Sequence, residues 1–454
     1  MPHVTRLDRT SALTAKFLAH HQNLRQAAPE LIRNGAALLI SVGLLFAHFL
    51  KGADTAPVGA PFVLGSCAVF AAVTLLNYGR DIALGICIVS ILFFVWLASG
   101  FFGNWHLAKF EAQTLIAGAA LAATGYSIGK SDGGLKFAWS ALIWASLVFI
   151  LISAATFFST PPNSETFGSR LSAGFGSPNT AATLFGMTML LAIAKLAVRF
   201  QSARFNARPR GDRVALLAQS EFASLTILAI GFGCLVFTVS RAGIAISLAA
   251  MVSLSGFELF RMRRRGQFSF LRGRRAVIGM GVVAGLVLLL AILGEFNQRT
   301  QENLFENSSG RLKIFQIYWN VFLEKPWFGH GLGSFNAIND QITTLENAGT
   351  LQPLGAVHNV ILQWLVQQGI MGVLAMTFVF GVIFYPVIRA LRSPSTKPRN
   401  FLRATIAITF LVFAHGMVDY ALEIPSVMWT YSYILGLAAG YASMIQVRPK
   451  KSEE

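Results

Sequence analysis

The chain has 454 residues, of which 54% are hydrophobic and only 13% are charged. The charged share is about half of the roughly 25% found in soluble domains, and the mean hydropathy is +0.58. These values exclude a soluble globular protein and indicate an integral membrane protein. The net charge of +17 suggests a nucleic-acid partner, a hypothesis that depends on where the basic residues lie.

Continuous apolar runs predict an all-α polytopic protein with about 12 transmembrane helices, since roughly 20 apolar residues span the hydrocarbon core. The runs do not alternate in polarity, so helices rather than a barrel are predicted. In chain order they are Ala36–Leu50, Phe62–Leu76, Ile82–Phe102, Ala112–Ile128, Phe137–Phe158, Ala181–Val198, Phe222–Thr238, Ala242–Phe260, Ala276–Leu293, Ile370–Ala390, Ala404–Met417 and Ser426–Ile445.

The basic residues predict the orientation of these helices. With the N-terminus inside, the inner segments carry 28 Lys and Arg and the outer segments eight, which is the asymmetry expected of cytoplasmic loops. Both termini are therefore predicted to be cytoplasmic. The basic surplus anchors inner loops to anionic membrane lipids, and no nucleic-acid partner is expected.

The predicted organisation is uneven, because one outer segment is far longer than a turn requires. It runs from 295 to 369 and contains a predicted amphipathic helix, Arg311–Lys325, with its N-cap at Ser308–Gly310. A structured external loop over a helical bundle is typical of an enzyme that acts on a lipid-borne substrate. The predicted divisions are a basic N-terminal segment (1–35), nine helices (36–294), the outer loop (295–369), three helices (370–446) and a tail (447–454).

Three outer polar residues have both a structural and a functional interpretation. Arg241 is either a snorkelling topology marker or a guanidinium that binds phosphate. Arg311 is either solvated or an anion ligand at the start of the external helix. His358 is either a structural histidine or a base that takes a proton from a sugar hydroxyl.

The sequence contains no metal-ligand spacing and no glycine-rich strand–loop–helix that could hold a nucleotide. No metal and no cofactor are therefore predicted. A substrate that carries its own activated leaving group is expected instead of a nucleotide sugar.

Several motifs, in order along the chain, resemble those of the O-antigen ligase/polymerase superfamily of bacterial envelope glycosyltransferases. The resemblance covers roughly residues 170–440, and His330 departs from it, since the family commonly has an aliphatic residue there. The matching motifs are Phe175–Asn179, Val239–Gly243, Gly310–Leu312 with Pro326–Phe335, His358–Asn359 with Gln368–Gly372, and His415–Tyr420 with Pro425.

The resemblance implies a lipid-sugar transferase of GT-C-like architecture in the bacterial inner membrane, with its active site in the periplasm. Its partners would be an undecaprenyl-diphosphate-linked glycan, a lipid-linked or lipid A-core acceptor, and polysaccharide assembly proteins. Arg241 and Arg311 would hold the diphosphate, and His358 would act as the base in a metal-independent, inverting transfer. Further residues implied in substrate binding are Arg170 and Asn179, whose loop either lines the acceptor side or is a solvated turn, Asp419, which either orients a partner residue or caps a helix, and Asn359.

Two acceptors fit this resemblance, and a different class of protein remains an alternative. A polymerase of O-antigen or exopolysaccharide repeat units, which the segment Asp419–Pro425 favours, would use a second lipid-linked glycan; an O-antigen ligase would use lipid A-core. A polysaccharide transporter or flippase also fits twelve helices. Transporters, however, carry ionisable residues at the midplane and repeated halves, neither of which is evident here.

Overall fold

The structure is a computed structural model that describes residues 30–76, 105–159, 170–206, 208–264, 296–352, 354–393 and 397–446. Within these ranges all regular structure is helical. Besides short helical turns, the helices are α1 (Glu30–Phe49), α2 (Ala56–Leu76), α3 (Trp105–Gly129), α4 (Asp132–Ser159), α5 (Pro178–Phe200), α6 (Arg210–Ser220), α7 (Phe222–Phe237), α8 (Arg241–Arg264), α9 (Phe296–Glu324), α10 (Phe335–Ile342), α11 (Val360–Arg392), α12 (Asn400–Gly416) and α13 (Pro425–Gln446).

The described helices support a multi-pass membrane protein without confirming twelve spans. Six of them are long and apolar enough to cross a membrane, or up to seven if the bent pair α6–α7 forms one span. The predicted runs Ile82–Phe102 and Ala276–Leu293 lie outside the described residues. Every other predicted run coincides with a helix to within one residue at its C-terminal end. A helix satisfies its own backbone hydrogen bonds, which lipid cannot do.

Among the candidate spans in the described residues, α5 is the most deeply buried, with 83% of its apolar window inside the protein. It packs against α7, α8 and α12. A second close contact joins α3 and α13, where a Cβ on Gly436 would lie 2.0 Å from the Ala122 carbonyl oxygen. Small residues permit such approach between membrane helices. The packing of α5 against α8 places their N-terminal ends side by side, since a Cβ on Gly243 would lie 2.7 Å from the Ala182 side chain.

The outer-loop helix differs from the prediction in two respects. It begins at Phe296, not after Gly310, so Arg311 lies within α9 and not at a helix N-terminus. The single apolar face that the sequence predicted is also divided. Phe322 is buried with Tyr318 in a small core against α11, whereas Trp319 is 48% exposed.

The helix α11 is broken at Gly369, where it meets the glycine-containing loop that follows α9. At Gly369 the backbone leaves the helix, with φ 62° and ψ −166°, a combination that is essentially confined to glycine. Backbone groups freed by the break bond to the loop after α9: Ile370 donates to the Pro326 carbonyl (2.9 Å), and Gly331 donates to the Gln367 carbonyl (2.8 Å). The loop therefore satisfies polar backbone that lipid would leave unpaired.

We expect Gly369→Ala to destabilise the protein by more than about 2 kcal/mol, because alanine disfavours this backbone conformation and its Cβ would meet the Trp327 backbone at 2.4 Å. Gly381→Ala on the same helix is the matched control, since a Cβ there meets nothing within 4 Å. Thermal melting of the purified protein in detergent measures both. Equal melting temperatures for the two variants would show that the break at Gly369 does not require glycine.

Candidate active site

Three long helices, α5, α8 and α11, begin close together at one end of the bundle. Each is capped by a side chain: Ser177 accepts from the Asn179 amide at the start of α5, Ser240 accepts from the Gly243 amide at the start of α8, and Asn359 accepts from two amides at the start of α11. A helix N-terminus presents free N–H groups and a partial positive charge. Their convergence makes this region favourable for an anion.

Arg170 connects two of these helix starts. Its Nε donates to the carbonyl oxygen of Thr238 (2.8 Å), three residues before α8, and its Nη2 donates to Oδ1 of Asn179 (2.7 Å) on α5. The Leu171 amide also donates to the Phe237 carbonyl oxygen (2.9 Å). Arg170 and Asn179, both implied in substrate binding by the sequence, thus form part of a single polar cluster.

The centre of this cluster is the Asp419 carboxylate, which is 1% exposed. Its Oδ1 accepts from the Tyr420 amide (2.7 Å) and lies 3.8 Å from Nδ1 of His358. Its Oδ2 lies 3.8 Å from Nε2 of His415. Burial raises the pKa of Asp419 to about 6, while the Tyr420 amide and the Arg311 guanidinium act in the opposite direction. The carboxylate is therefore ionised at neutral pH and faces two imidazoles.

His358 is held in a strained backbone conformation, with φ 60°. Such a conformation costs on the order of 1–3 kcal/mol and is concentrated at functional sites. The ring packs edge-on against Tyr420, with centroids 4.8 Å apart, and the side chain is 22% exposed. Burial, followed by the charge of Arg311, lowers the pKa of His358 to about 4. The imidazole is therefore neutral at pH 7 and able to accept a proton.

Two more strained residues adjoin the cluster. Ala173 and Val239 both have φ 53°, and they lie three residues after Arg170 and two residues before Arg241. Positive φ is unusual for a β-branched residue such as Val239. Tertiary contacts therefore hold the segments that carry both arginines in conformations the chain would not adopt alone.

Arg241 is the first residue of α8 and is exposed. Burial lowers the pKa of Arg170, the Asp419 carboxylate acts in the opposite direction, and the charges of Arg311 and Arg241 lower it further. Arg311 also acts electrostatically on Asp419 and His358. Three guanidinium groups, from the loop before α5, from α8 and from α9, therefore lie in one electrostatic neighbourhood.

The structure thus places Arg170, Asn179, Arg241, Arg311, His358 and Asp419 in one cluster. Asn359 adjoins it, but its side chain is engaged with backbone: Oδ1 caps α11, and Nδ2 donates to the Met417 carbonyl oxygen (3.2 Å). Its predicted contact with substrate stays a prediction.

Sequence reasoning missed His415, which is 1% exposed at the end of α12. Its Nδ1 lies 2.7 Å from the Thr183 hydroxyl oxygen on α5, and its Nε2 faces Asp419. The spacing of four residues between His415 and Asp419 is the signal that could have found it. Thr183 has no comparable signal, since only the packing of α5 against α12 brings it there.

This arrangement can bind a multiply charged anion and remove a proton from a neutral hydroxyl group. Guanidinium groups are planar donors suited to phosphate oxygens. A neutral imidazole backed by a carboxylate is suited to general-base catalysis, because the carboxylate stabilises the imidazolium that forms.

Comparison with known proteins agrees with this chemistry. Residues 226–377 match a family model described as O-Antigen ligase. Over these residues the chain is similar to O-antigen ligases. The resemblance to the O-antigen ligase/polymerase superfamily is thereby confirmed, and the activity it indicates is that of a membrane glycosyltransferase of the ligase or polymerase type. No curated protein matches the chain.

The O-antigen ligase match covers only part of the candidate site. It contains Arg241, Arg311 and His358, whereas Arg170 and Asp419 lie on either side of it. The family match and the geometry of the site are therefore separate observations, and both indicate the same cluster of residues.

Proposed function

We propose that this protein transfers a glycan from undecaprenyl diphosphate to an acceptor hydroxyl at the periplasmic face of the bacterial inner membrane. The observation that carries the proposal is the arrangement of three arginines and three helix N-termini around the half-buried His358 and the buried Asp419. Glycan transfer from a diphosphate requires both halves of this arrangement: a cationic site for the leaving group and a base for the acceptor.

The arginines would stabilise the leaving group. As the bond between the anomeric carbon and the phosphate oxygen breaks, its electron pair moves onto the diphosphate. Arg241 and Arg311 neutralise the charge that develops there, with Arg170 beside them. Fixed cations can supply this stabilisation, so we propose a metal-independent reaction. The negative charge of the diphosphate in turn neutralises the arginine side chains, whose positive charge is costly to hold at a membrane.

His358 would activate the acceptor. Its neutral imidazole takes the proton from the attacking hydroxyl as the new bond to the anomeric carbon forms. Because Nδ1 faces Asp419, Nε2 is the atom that would receive this proton. Attack opposite the departing diphosphate inverts the anomeric configuration. Asp419 then stabilises the imidazolium.

The acceptor we propose is a second lipid-linked glycan, so that the protein polymerises O-antigen or exopolysaccharide repeat units. The segment that favoured this assignment in the sequence begins with Asp419, the centre of the cluster. The alternative, ligation to lipid A-core, is favoured by the description of the matching family.

Analysis of a deletion strain by mass spectrometry of its lipid-linked intermediates tests this choice. We expect single repeat units on the lipid carrier and on the final acceptor in the absence of a polymerase. Long chains accumulating on the carrier would show that the protein is a ligase. Unchanged lipid-linked intermediates and unchanged surface glycan would contradict both assignments.

The rate of transfer should fall as the pH decreases through about 6. Asp419 has a raised pKa of about 6, so it loses its charge below that pH, whereas His358 remains unprotonated down to about pH 4. The acidic limb of the pH–rate profile should therefore follow the ionisation of Asp419. The profile is measured as kcat/KM against pH in proteoliposomes. In Asp419→Asn the remaining activity should lack this limb, and an unshifted limb would assign it to another group.

A further inference from the structure

The Asp419 carboxylate has an imidazole on each side, and the proposed reaction uses only one of them. His358 faces Oδ1 of Asp419 and is 22% exposed, so a substrate can reach its ring. His415 faces Oδ2 and is 1% exposed, so it is out of reach of a substrate. Any part that His415 takes in the reaction is therefore exerted through Asp419.

The atoms that face each other across this carboxylate are left unsatisfied by the rest of the protein. Oδ2 of Asp419 and Nδ1 of His358 are both buried without a hydrogen-bond partner in the described part of the chain. Oδ2 lies 3.8 Å from Nε2 of His415, and Nδ1 of His358 lies 3.8 Å from Oδ1 of Asp419. Catalytic hydrogen bonds are often long without substrate and tighten when it binds. A small movement would turn both contacts into hydrogen bonds.

Thr183 on α5 decides which nitrogen of His415 carries the hydrogen. Its hydroxyl oxygen lies 2.7 Å from Nδ1 of His415, whereas its other acceptor, the Asn179 carbonyl oxygen, is 3.3 Å away. The shorter contact favours donation to Nδ1, and a neutral imidazole that accepts at Nδ1 carries its hydrogen on Nε2. The opposite tautomer would point a lone pair at the carboxylate of Asp419. Nε2 of His415 is therefore the donor to Asp419.

Helix packing holds the His415 ring in this orientation. Thr183 is 0% exposed on α5, which packs against both α12 and α8. On the α8 side, a Cβ on Gly243 would lie only 3.2 Å from Cε1 of His415. The ring is thus fixed between the start of α8 and the hydroxyl of Thr183, and it cannot turn away from Asp419 without disturbing either helix.

Donation by His415 has a consequence for His358. A hydrogen bond to the carboxylate favours its ionised form, and an ionised Asp419 accepts the hydrogen of His358 Nδ1. Nε2 of His358 is then free to take a proton. A protonated Asp419 would instead donate to Nδ1, and the hydrogen of the neutral imidazole would move to Nε2. In that state His358 could not act as a base.

We propose that His415 and Thr183 are positioning residues, which act through Asp419 to keep His358 in the tautomer that accepts a proton at Nε2. Their part in catalysis rests on the proposed function, whereas the tautomers themselves do not. Thr183 donates to His415, and the hydrogens of both imidazoles point at Asp419. Neither positioning residue touches the substrate.

Other charged and polar groups also face the Asp419 carboxylate. Burial favours its neutral form, whereas Arg311 on α9, Asn179 on α5 and Arg170 before α5 favour the ionised form. Arg311 also acts electrostatically on His415. All of these groups are retained when His415 or Thr183 is replaced, so such variants report what the two positioning residues contribute.

The tautomers are tested by solid-state NMR of the full chain in lipid bilayers with 15N-labelled histidine, because protonated and unprotonated ring nitrogens have separate 15N shifts. His415→Gln and His358→Asn identify the two rings by the loss of their signals. At pH 7 we expect one hydrogen on Nε2 of His415 and one on Nδ1 of His358. A hydrogen on Nδ1 of His415, or on Nε2 of His358, would overturn the proposal.

The effect on the reaction is tested with His415→Leu, which removes the donor to Asp419. The pKa of Asp419 should rise, so the acidic limb of kcat/KM should move to higher pH by roughly one to two units. At pH 7 kcat should fall by roughly 10–100-fold, the range typical when a group that orients a functional histidine is removed. The KM for the lipid-linked donor should stay unchanged.

His415→Gln provides the matched comparison, because its amide nitrogen can donate from about the position of Nε2. It should restore the acidic limb and most of kcat. A purely structural role for His415 would instead lower kcat in both variants and leave the limb in place. Equal losses in His415→Leu and His415→Gln, or an unmoved limb in His415→Leu, would therefore contradict the proposal.

If His415→Leu does not accumulate in the membrane, Thr183→Val replaces it, since valine keeps the shape of threonine without the hydroxyl group. The limb should move in the same direction, and kcat should fall by roughly tenfold. Thr188→Val is the control: Thr188 is buried on the same helix, and its hydroxyl donates to the Phe185 carbonyl oxygen (2.9 Å). It should behave as wild type, and equal behaviour of the two variants would overturn the proposal.

Failure of the proposed function would be distinguishable from failure of this inference. If the wild-type protein transfers no glycan while both rings show the expected tautomers, the proposed function fails and the arrangement around Asp419 stands. If transfer occurs while either ring shows the opposite tautomer, the proposed function stands and the positioning role is wrong.

Discussion

Replacing Arg311 with alanine is expected to lower kcat/KM for glycan transfer by about 10²–10³-fold, the loss typical when one charge-stabilising group is removed from a transition state. The guanidinium acts electrostatically on Asp419 and His358, so it lies where the diphosphate of the donor would meet the acceptor. Transfer from a purified lipid-linked donor in proteoliposomes measures the effect. Arg311→Lys should restore only part of the activity, because an ammonium group lacks the planar pair of donors.

Lys313→Ala provides the control for this prediction. Lys313 lies on the same helix, two residues from Arg311, and is exposed. Lys313→Ala therefore removes one positive charge, as Arg311→Ala does, but leaves the cluster around Asp419 unchanged. We expect full activity and normal membrane levels in this variant. Loss of activity in both variants, or in neither, would refute the assignment of Arg311 to the diphosphate.

Removal of the His358 imidazole is expected to lower kcat by about 10²–10⁴-fold, the usual contribution of a positioned general base. The strained backbone complicates an alanine variant, because His358 has φ 60°. His358→Gly and His358→Asn avoid this difficulty, since glycine and asparagine adopt positive φ more readily. All three variants should lose activity to a similar extent, with melting temperatures highest for His358→Gly or His358→Asn.

The comparison among these variants separates chemistry from strain. If His358→Gly retained wild-type kcat, the imidazole would not be the base, and the strain alone would explain any defect in His358→Ala. The KM for the donor should stay near the wild-type value in all three, because the diphosphate is proposed to bind at the arginines. A large rise in donor KM would instead assign His358 to donor binding.

The helices could be predicted from the sequence because lipid imposes a simple rule. A run of apolar residues such as Ala181–Val198 must form a helix to satisfy its own backbone, and it lies in α5 (Pro178–Phe200). Helix ends that depend on tertiary contacts were harder to predict. The predicted start of the outer helix near Gly310 was wrong, because α9 continues back to Phe296 through residues whose local pattern resembled a cap.

The break in α11 could not be predicted from the sequence either. The sequence shows the glycines before and within α11, but it does not show that they allow two backbone segments to pair. Only the structure pairs the Ile370 amide with the Pro326 carbonyl and the Gly331 amide with the Gln367 carbonyl. Such pairing between segments 36 or more residues apart follows from packing, which local propensity does not encode.

The sequence by itself determined that this is a membrane protein, where most of its helices lie, and that Arg241, Arg311 and His358 are unusual polar residues in its predicted outer segments. The tertiary structure alone decided that His415 faces Asp419, and that Arg170 and Asn179 join the same cluster. The net charge of +17 gave no indication of either. The physical reason is that apolar periodicity is a local property read from neighbouring residues. A catalytic site instead depends on distances between residues that the chain brings together only when its helices pack.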